Sequence, residues 1–289
     1  MEKKYGFTGN ILHKYGRDLK QVVALKDFGD IKKGQFGGYI ENEDNLSQEG
    51  VCWVQQGCIY GKAKVYENAF VYMNARVYGN AKVHGDSMIT EAAEVYGNAE
   101  IQGKCFVGGH AKVYGHAQLF NHVEVSGRAK VYEYACLYEN VQIINHAEIF
   151  GKAQIDGNAR IYDNAKVYGE AQVFGNTEIF DDAEVFDSAR IGGNVKICHK
   201  AQVGNGILLN HDEKVTEGNI PMYYQEYKRY VFEYCFANSK EECEDLVLLS
   251  KIVNTNKLIE LIKERHGWTK RKMQCQIHLE EMDEEIEVY

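Results

Sequence analysis

Between Ile59 and Val203 every sixth residue is Val, Ile or Leu, and the register never slips. A second column lies four places after the first. From residue 63 to residue 201 it holds Ala at 18 of 24 positions, the others being Ser87, Cys105, Val123, Val141, Thr177 and Val195. Between the columns stand turn residues, such as Gly61, Gly79 and Gly97 at one place and Asn68, Asn80 and Asn98 at the next. Gly and Asn tolerate the positive φ that a sharp corner requires. Each unit, as in Val77–Val83, therefore reads as short strand, corner, small inward residue, short strand.

A period of six is too short for a helix face and wrong for a coiled-coil heptad. It suits one side of a coiled parallel sheet whose rungs stack about 4.8 Å apart. A branched residue fills the interior and Ala fits the crowded corner. Three sides make a rung of 18 residues, so the repeat gives about eight rungs and a prism roughly 38 Å long. Composition agrees: 28 Gly and a single Pro allow repeated bends while the backbone donors stay in use. Such a solenoid has no internal edge strands, but its two ends need caps.

The hexads resemble the hexapeptide-repeat left-handed β-helix superfamily, the fold of many acyl-CoA-dependent acyltransferases. The left hand is implied by that resemblance, not by the spacing. Residues 21–54, QVVALKDFGDIKKGQFGGYIENEDNLSQEGVCWV, followed by the hexads, resemble more closely the YdcK-like bacterial and phage proteins, often labelled acyltransferases on fold alone. The expected fold is mainly β: a left-handed parallel β-helix of about eight triangular coils, an N-terminal β cap and a small C-terminal α+β appendage.

The expected divisions are a cap over residues 1–58, the β-helix over 59–205, a linker over 206–221 and the appendage over 222–289. In the cap, Leu19–Leu25 reads as a strand and Gly34–Gly38 as a glycine loop with no phosphate-binding signature. Beyond the hexads the pattern becomes helical. Tyr223–Phe236 fits an amphipathic helix, Ser239 with Glu242 forms a capping box for a second, and Thr255 opens a third ending before Gly267. Met273–Leu279 alternates as a strand. The tail is acidic at Glu280, Glu281, Asp283, Glu284, Glu285 and Glu287.

Surface columns carry the functional expectations. One outward column repeats every 18 residues as Tyr60, Tyr78, Tyr96, Tyr114, Tyr132, Phe150, Tyr168 and Phe186. Such a ladder strengthens a sheet and also offers an amphipathic stripe to a partner. Corner histidines, His84, His110, His116, His122, His146 and His199, supply candidate general bases. His110 and His146 fall two rungs apart on one corner with Arg128 between them. No insertion breaks the hexads to wall a pantetheine tunnel, and GxSxG is absent. Cys198–His199 is a lone pair, so no metal site is expected.

A net charge of −9 argues against binding nucleic acid or an anionic membrane. No apolar run reaches the roughly 20 residues of a membrane span. Eight cysteines without a CxxC pair suggest reduced thiols and a cytoplasmic setting. The favoured reading is a non-catalytic binding or scaffolding solenoid without a cofactor. It would engage a protein partner or another copy of itself, as a homo-oligomer, through the aromatic face and the C-terminal segment. The phage-like resemblance extends this to an inhibitor of a host enzyme or defence complex. The alternative is an O- or N-acyltransferase using acetyl-CoA or another acyl-CoA, with His110 or His146 as base. Third stands an acidic nucleic-acid mimic acting through the tail.

Overall fold

The computed structural model describes residues 2–204 and, after them, only short extended segments at 208–209, 214–215, 219–221, 231–232 and 277–278. From Trp53 to Pro221 the described chain is a parallel β-solenoid, with paired two- to four-residue strands on three faces. Face one carries Ile59, Val77, Val95 and their successors inward, face two Val65, Val83 and Ile101, and face three Val71, Ile89 and Val107. Between Ile59 and Val203 each strand pairs with the residues 18 positions away, as Val95 does with Val113 and Val113 with Val131. The rungs are tied by backbone bonds such as Tyr96 N–H to the Val113 carbonyl at 3.0 Å and Tyr114 N–H to the Val131 carbonyl at 2.9 Å.

The two inward columns form one continuous core whose members are almost entirely withdrawn from solvent. A fully buried Val or Ile side chain contributes about 1.5–3 kcal/mol. The Ala column is small because the chain turns there. Its polar exceptions satisfy themselves locally: Ser87 Oγ donates to the His84 carbonyl and Thr177 Oγ1 to the Phe174 carbonyl, each at 2.8 Å. At the corners the left-handed region is used throughout. Gly97, at φ +73°, would place a Cβ 2.9 Å from the Gly115 amide nitrogen. Asn, Asp and Glu, with Met73 and His199, occupy the same conformation elsewhere.

The N-terminal residues build a sheet that runs into face one. Strands β1 (Tyr5–Lys14) and β2 (Arg17–Ala24) form an antiparallel hairpin, and β3 (Phe36–Ile40) pairs antiparallel with β2. Tyr15 and Gly16 make its two-residue turn, both at positive φ as a type I′ turn requires. β3 then pairs in parallel with Cys58–Ile59. Leu46 bridges to Val65, and Trp53–Gln55 pairs with Phe70–Tyr72, so parallel pairing begins upstream of the hexads. The glycine run ending at Gly38 is partly strand: a Cβ on Gly37 would lie 2.5 Å from Val22 and 2.7 Å from the Trp53 ring. Its bareness serves packing.

Trp53 is fully buried and meets Phe28 and Tyr5 edge to face. Lys4 closes this end, its Nζ donating to the carbonyls of Glu49 and Cys52 at 3.1 and 3.0 Å. Burial lowers the pKa of that ammonium.

Parallel pairing continues past Val203, through Leu208–Leu209, Lys214–Val215 and Asn219–Pro221. One expectation is overturned beyond it. Val231–Phe232 is extended and pairs antiparallel with Ile277–His278, so no single helix spans Tyr223–Phe236. β-branched and aromatic residues in succession favour the extended chain there. Ile277–His278 is extended, as the alternation over Met273–Leu279 predicts. The two further helices and the acidic tail, Glu280 through Glu287, lie outside the described residues. No helix among the described residues is long and apolar enough to cross a membrane.

Candidate functional site: the aromatic face and a corner groove

Face one presents the expected ladder as one stack of rings. From Tyr60 through Tyr78, Tyr96, Tyr114, Tyr132, Phe150 and Tyr168 to Phe186, successive centroids lie 4.8–5.4 Å apart with planes within 14° of parallel. A ring outside the hexads extends it: Tyr15 stacks on Tyr60 at 5.2 Å and 15°. Arg17 and Arg76 lie over the Tyr60 and Tyr15 rings. At the other end the phase calls for an aromatic at position 204, but Gly204 stands there. A Cβ on it would fall 2.4 Å from the Phe186 ring. Gly204 leaves room for that last ring.

Stacking uses up the ring faces, so the stripe that meets solvent is made of ring edges and hydroxyls. Tyr60 is buried under the hairpin; the seven rings from Tyr78 to Phe186 are half-buried. Beside them runs a charged column. Glu94 accepts from the Tyr78 hydroxyl at 2.9 Å and pairs with Arg76 at 2.6 Å and Lys112 at 3.6 Å. Glu148 is held by Lys130 at 2.7 Å and Tyr132 at 3.3 Å. Glu184 is held by Lys166 at 3.4 Å and Tyr168 at 3.3 Å. Burial would raise the Glu94 carboxyl, but the Tyr78 bond and the charges of Arg76 and Lys112 together hold it below the usual carboxylate range. The phenols move upward, chiefly by burial: Tyr60 to about 12, and Tyr78, Tyr96, Tyr114, Tyr132 and Tyr168 in the same direction.

The histidines do not form one constellation. His110 and His146 are exposed at the corner after face three, two rungs apart, which is about 10 Å at the sheet spacing. Among the described residues neither ring has a carboxylate partner to orient it as a base. His116 stacks on Tyr134 at the next corner, and His122 is exposed at the third. His84 is buried, stacked on Tyr66 at 4.5 Å, with Glu67 and Glu100 3.6 and 3.4 Å from its nitrogens.

His146 does line an open groove of about 780 Å³, along with Asp163, Asp181, Asp182, His199 and Lys200. Sequence reading missed the acids of this corner. Asp163 and Asp181 sit 18 residues apart in one column and Asp182 in the next, and the same period aligns Asn145 with Asp163 at 2.9 Å and Asn164 with Asp182 at 3.0 Å.

These coils and corners define a β-solenoid that fits the hexapeptide-repeat left-handed β-helix class. Over 52 residues the chain is 40% identical to the uncharacterized acetyltransferase YdcK of Escherichia coli strain K12. That stretch covers 17% of this chain and 16% of the relative, so the likeness is partial. No protein-family profile matches the chain.

Proposed function

We propose that this protein is a non-catalytic binding solenoid that presents face one to protein, in the first instance to a second copy of itself. The observation that carries the reading is the unbroken stack that starts at Tyr60 under the hairpin and runs from Tyr78 to Phe186 with its edges and hydroxyls at the surface. A long, straight row of half-buried tyrosines gives large contact area at little entropic cost. The mixed column of bases and acids beside it, Arg76 to Glu184, suits a two-fold partner, in which each residue meets its counterpart's neighbours. The inhibitory role that the phage-like resemblance implies would use the same surface.

Cross-linking tests it. Isotopically light and heavy chains are mixed and treated with a short lysine-reactive linker. Interchain links should join Lys112, Lys130 and Lys166, which flank the rings. Interchain links confined to Lys64 and Lys82 on face two, or none at all, would overturn the assignment.

The second reading is an acyl-CoA-dependent acyltransferase, favoured by the partial likeness to YdcK and by the position of His146 in the corner groove. The electrostatics weigh against it. Acyl-CoA brings several phosphate charges, and the groove faces it with Asp163, Asp181 and Asp182 against Lys200. Calorimetric titration with acetyl-CoA separates the two readings: no heat supports the binding solenoid. Saturable binding abolished by His110→Ala or His146→Ala would establish the enzyme instead.

A further inference from the structure

Three unlike donors, two of them distant from the third in sequence, converge at the last described corner. Asp181 stands at the turn after face three. One coil later the same turn carries His199, next to Cys198, which directly follows the strand Lys196–Ile197. A carboxylate oxygen, a ring nitrogen and the sulfur all lie within 4.8 Å of one another. The two rungs are tied at this point, because the His199 backbone N–H donates to Asp181 Oδ2 at 3.0 Å. His199 Nδ1 lies 3.0 Å from the same oxygen. The donors are graded outward, Cys198 being buried, Asp181 half-buried and His199 exposed at the groove.

The donor types choose the ion. A thiolate, an imidazole and a carboxylate together suit Zn²⁺ and its tetrahedral relatives, whereas Mg²⁺ and Ca²⁺ demand oxygen throughout. We propose that Asp181, Cys198 and His199 form a binding site for a divalent transition ion of the zinc class. With arms of about 2.0–2.3 Å the donors need to close to about 3.5 Å, the edge of such a tetrahedron. The backbone that carries them is fixed by the rung register, so side-chain rotation supplies that closure. Thiolate and carboxylate balance the charge of the ion. Three protein ligands leave a fourth position open towards the groove. Cys198 would bind as the thiolate, so binding releases the thiol proton. The inference rests on this corner alone and stands or falls apart from the binding-face reading.

Cobalt(II) titration of the full chain, stripped beforehand with a chelator, tests it by visible absorption. The expected spectrum has tetrahedral d–d bands and a thiolate-to-cobalt charge-transfer band, saturates at one ion per chain and is reversed by Zn²⁺. Cys198→Ser should remove the charge-transfer band, and His199→Gln should weaken binding by about 10–100-fold or more. Cys136→Ser should leave both unchanged. A folded wild-type protein without the charge-transfer band, or a band that survives Cys198→Ser, overturns the site. The wild-type spectrum decides even if a variant fails to fold.

Discussion

Tyr15, in the turn of the N-terminal hairpin, stacks on Tyr60, the first ring of the repeat, with centroids 5.2 Å apart and planes at 15°. The cap is thereby joined to the solenoid by the same contact that joins each rung to the next. Tyr15→Ala should strip Tyr60 of its cover and lower stability by about 1–2 kcal/mol, an aromatic pair plus some lost burial. Tyr15→Phe should cost little. Urea denaturation of the two variants checks this, and equal losses would mean that the hydroxyl matters more than the stack.

The Ala column predicts a size limit. Ala99→Leu forces a branched side chain into a turn with no spare volume and should cost about 1–3 kcal/mol or more. Ala99→Ser should stay within about 1 kcal/mol, because Ser87 shows that a hydroxyl there reaches the carbonyl three residues back. Chemical denaturation would contradict the packing account if Leu were tolerated as well as Ser.

Alkaline pH should unfold the protein through face one. The phenols of Tyr60, Tyr78, Tyr96, Tyr114, Tyr132 and Tyr168 hold their protons above the normal value in the folded state. The folded chain then binds more protons than the unfolded chain once pH passes about 10, so stability is full below that point and falls as pH rises towards the folded values. Tyrosinate absorbance in the folded protein should lag behind that of the chain in denaturant. Coincident titrations would refute the shielding of these rings.

Gly204→Ala should displace the Phe186 ring, since the new Cβ would stand 2.4 Å from it. The last rung should loosen while the middle of the stack keeps its order. Native-state hydrogen exchange would show faster opening around 184–204 and unchanged protection around 94–132; uniform protection would mean that the ring simply swings aside.

Much of this was legible in the sequence because the interior and the corners repeat on a fixed period. Ile59 to Val203 set the three faces, and every eighteenth residue from Tyr60 set the ladder. The start of parallel pairing was harder to see. Ile40 and Leu46 are six apart, but the next inward aliphatic, Val54, comes eight later, and that slip hides the coil from a strict count. Tyr15 escaped because it reaches the ladder through a hairpin turn with no period at all. Asp181 escaped because the chemistry of Cys198–His199 was sought among sequence neighbours, whereas the third donor lies one coil away. The extended Val231–Phe232 was mistaken for helix, where apolar aromatic spacing fits either structure.

Light scattering on the full chain puts the binding-face reading at most direct risk. The wild-type protein should show at least twice the 32.9 kDa mass of one chain. The combined variant Tyr96→Ser, Tyr114→Ser, Tyr132→Ser should fall to a single chain with its β circular dichroism intact. A wild-type monomer, or an assembly that persists with these three rings removed, would contradict it.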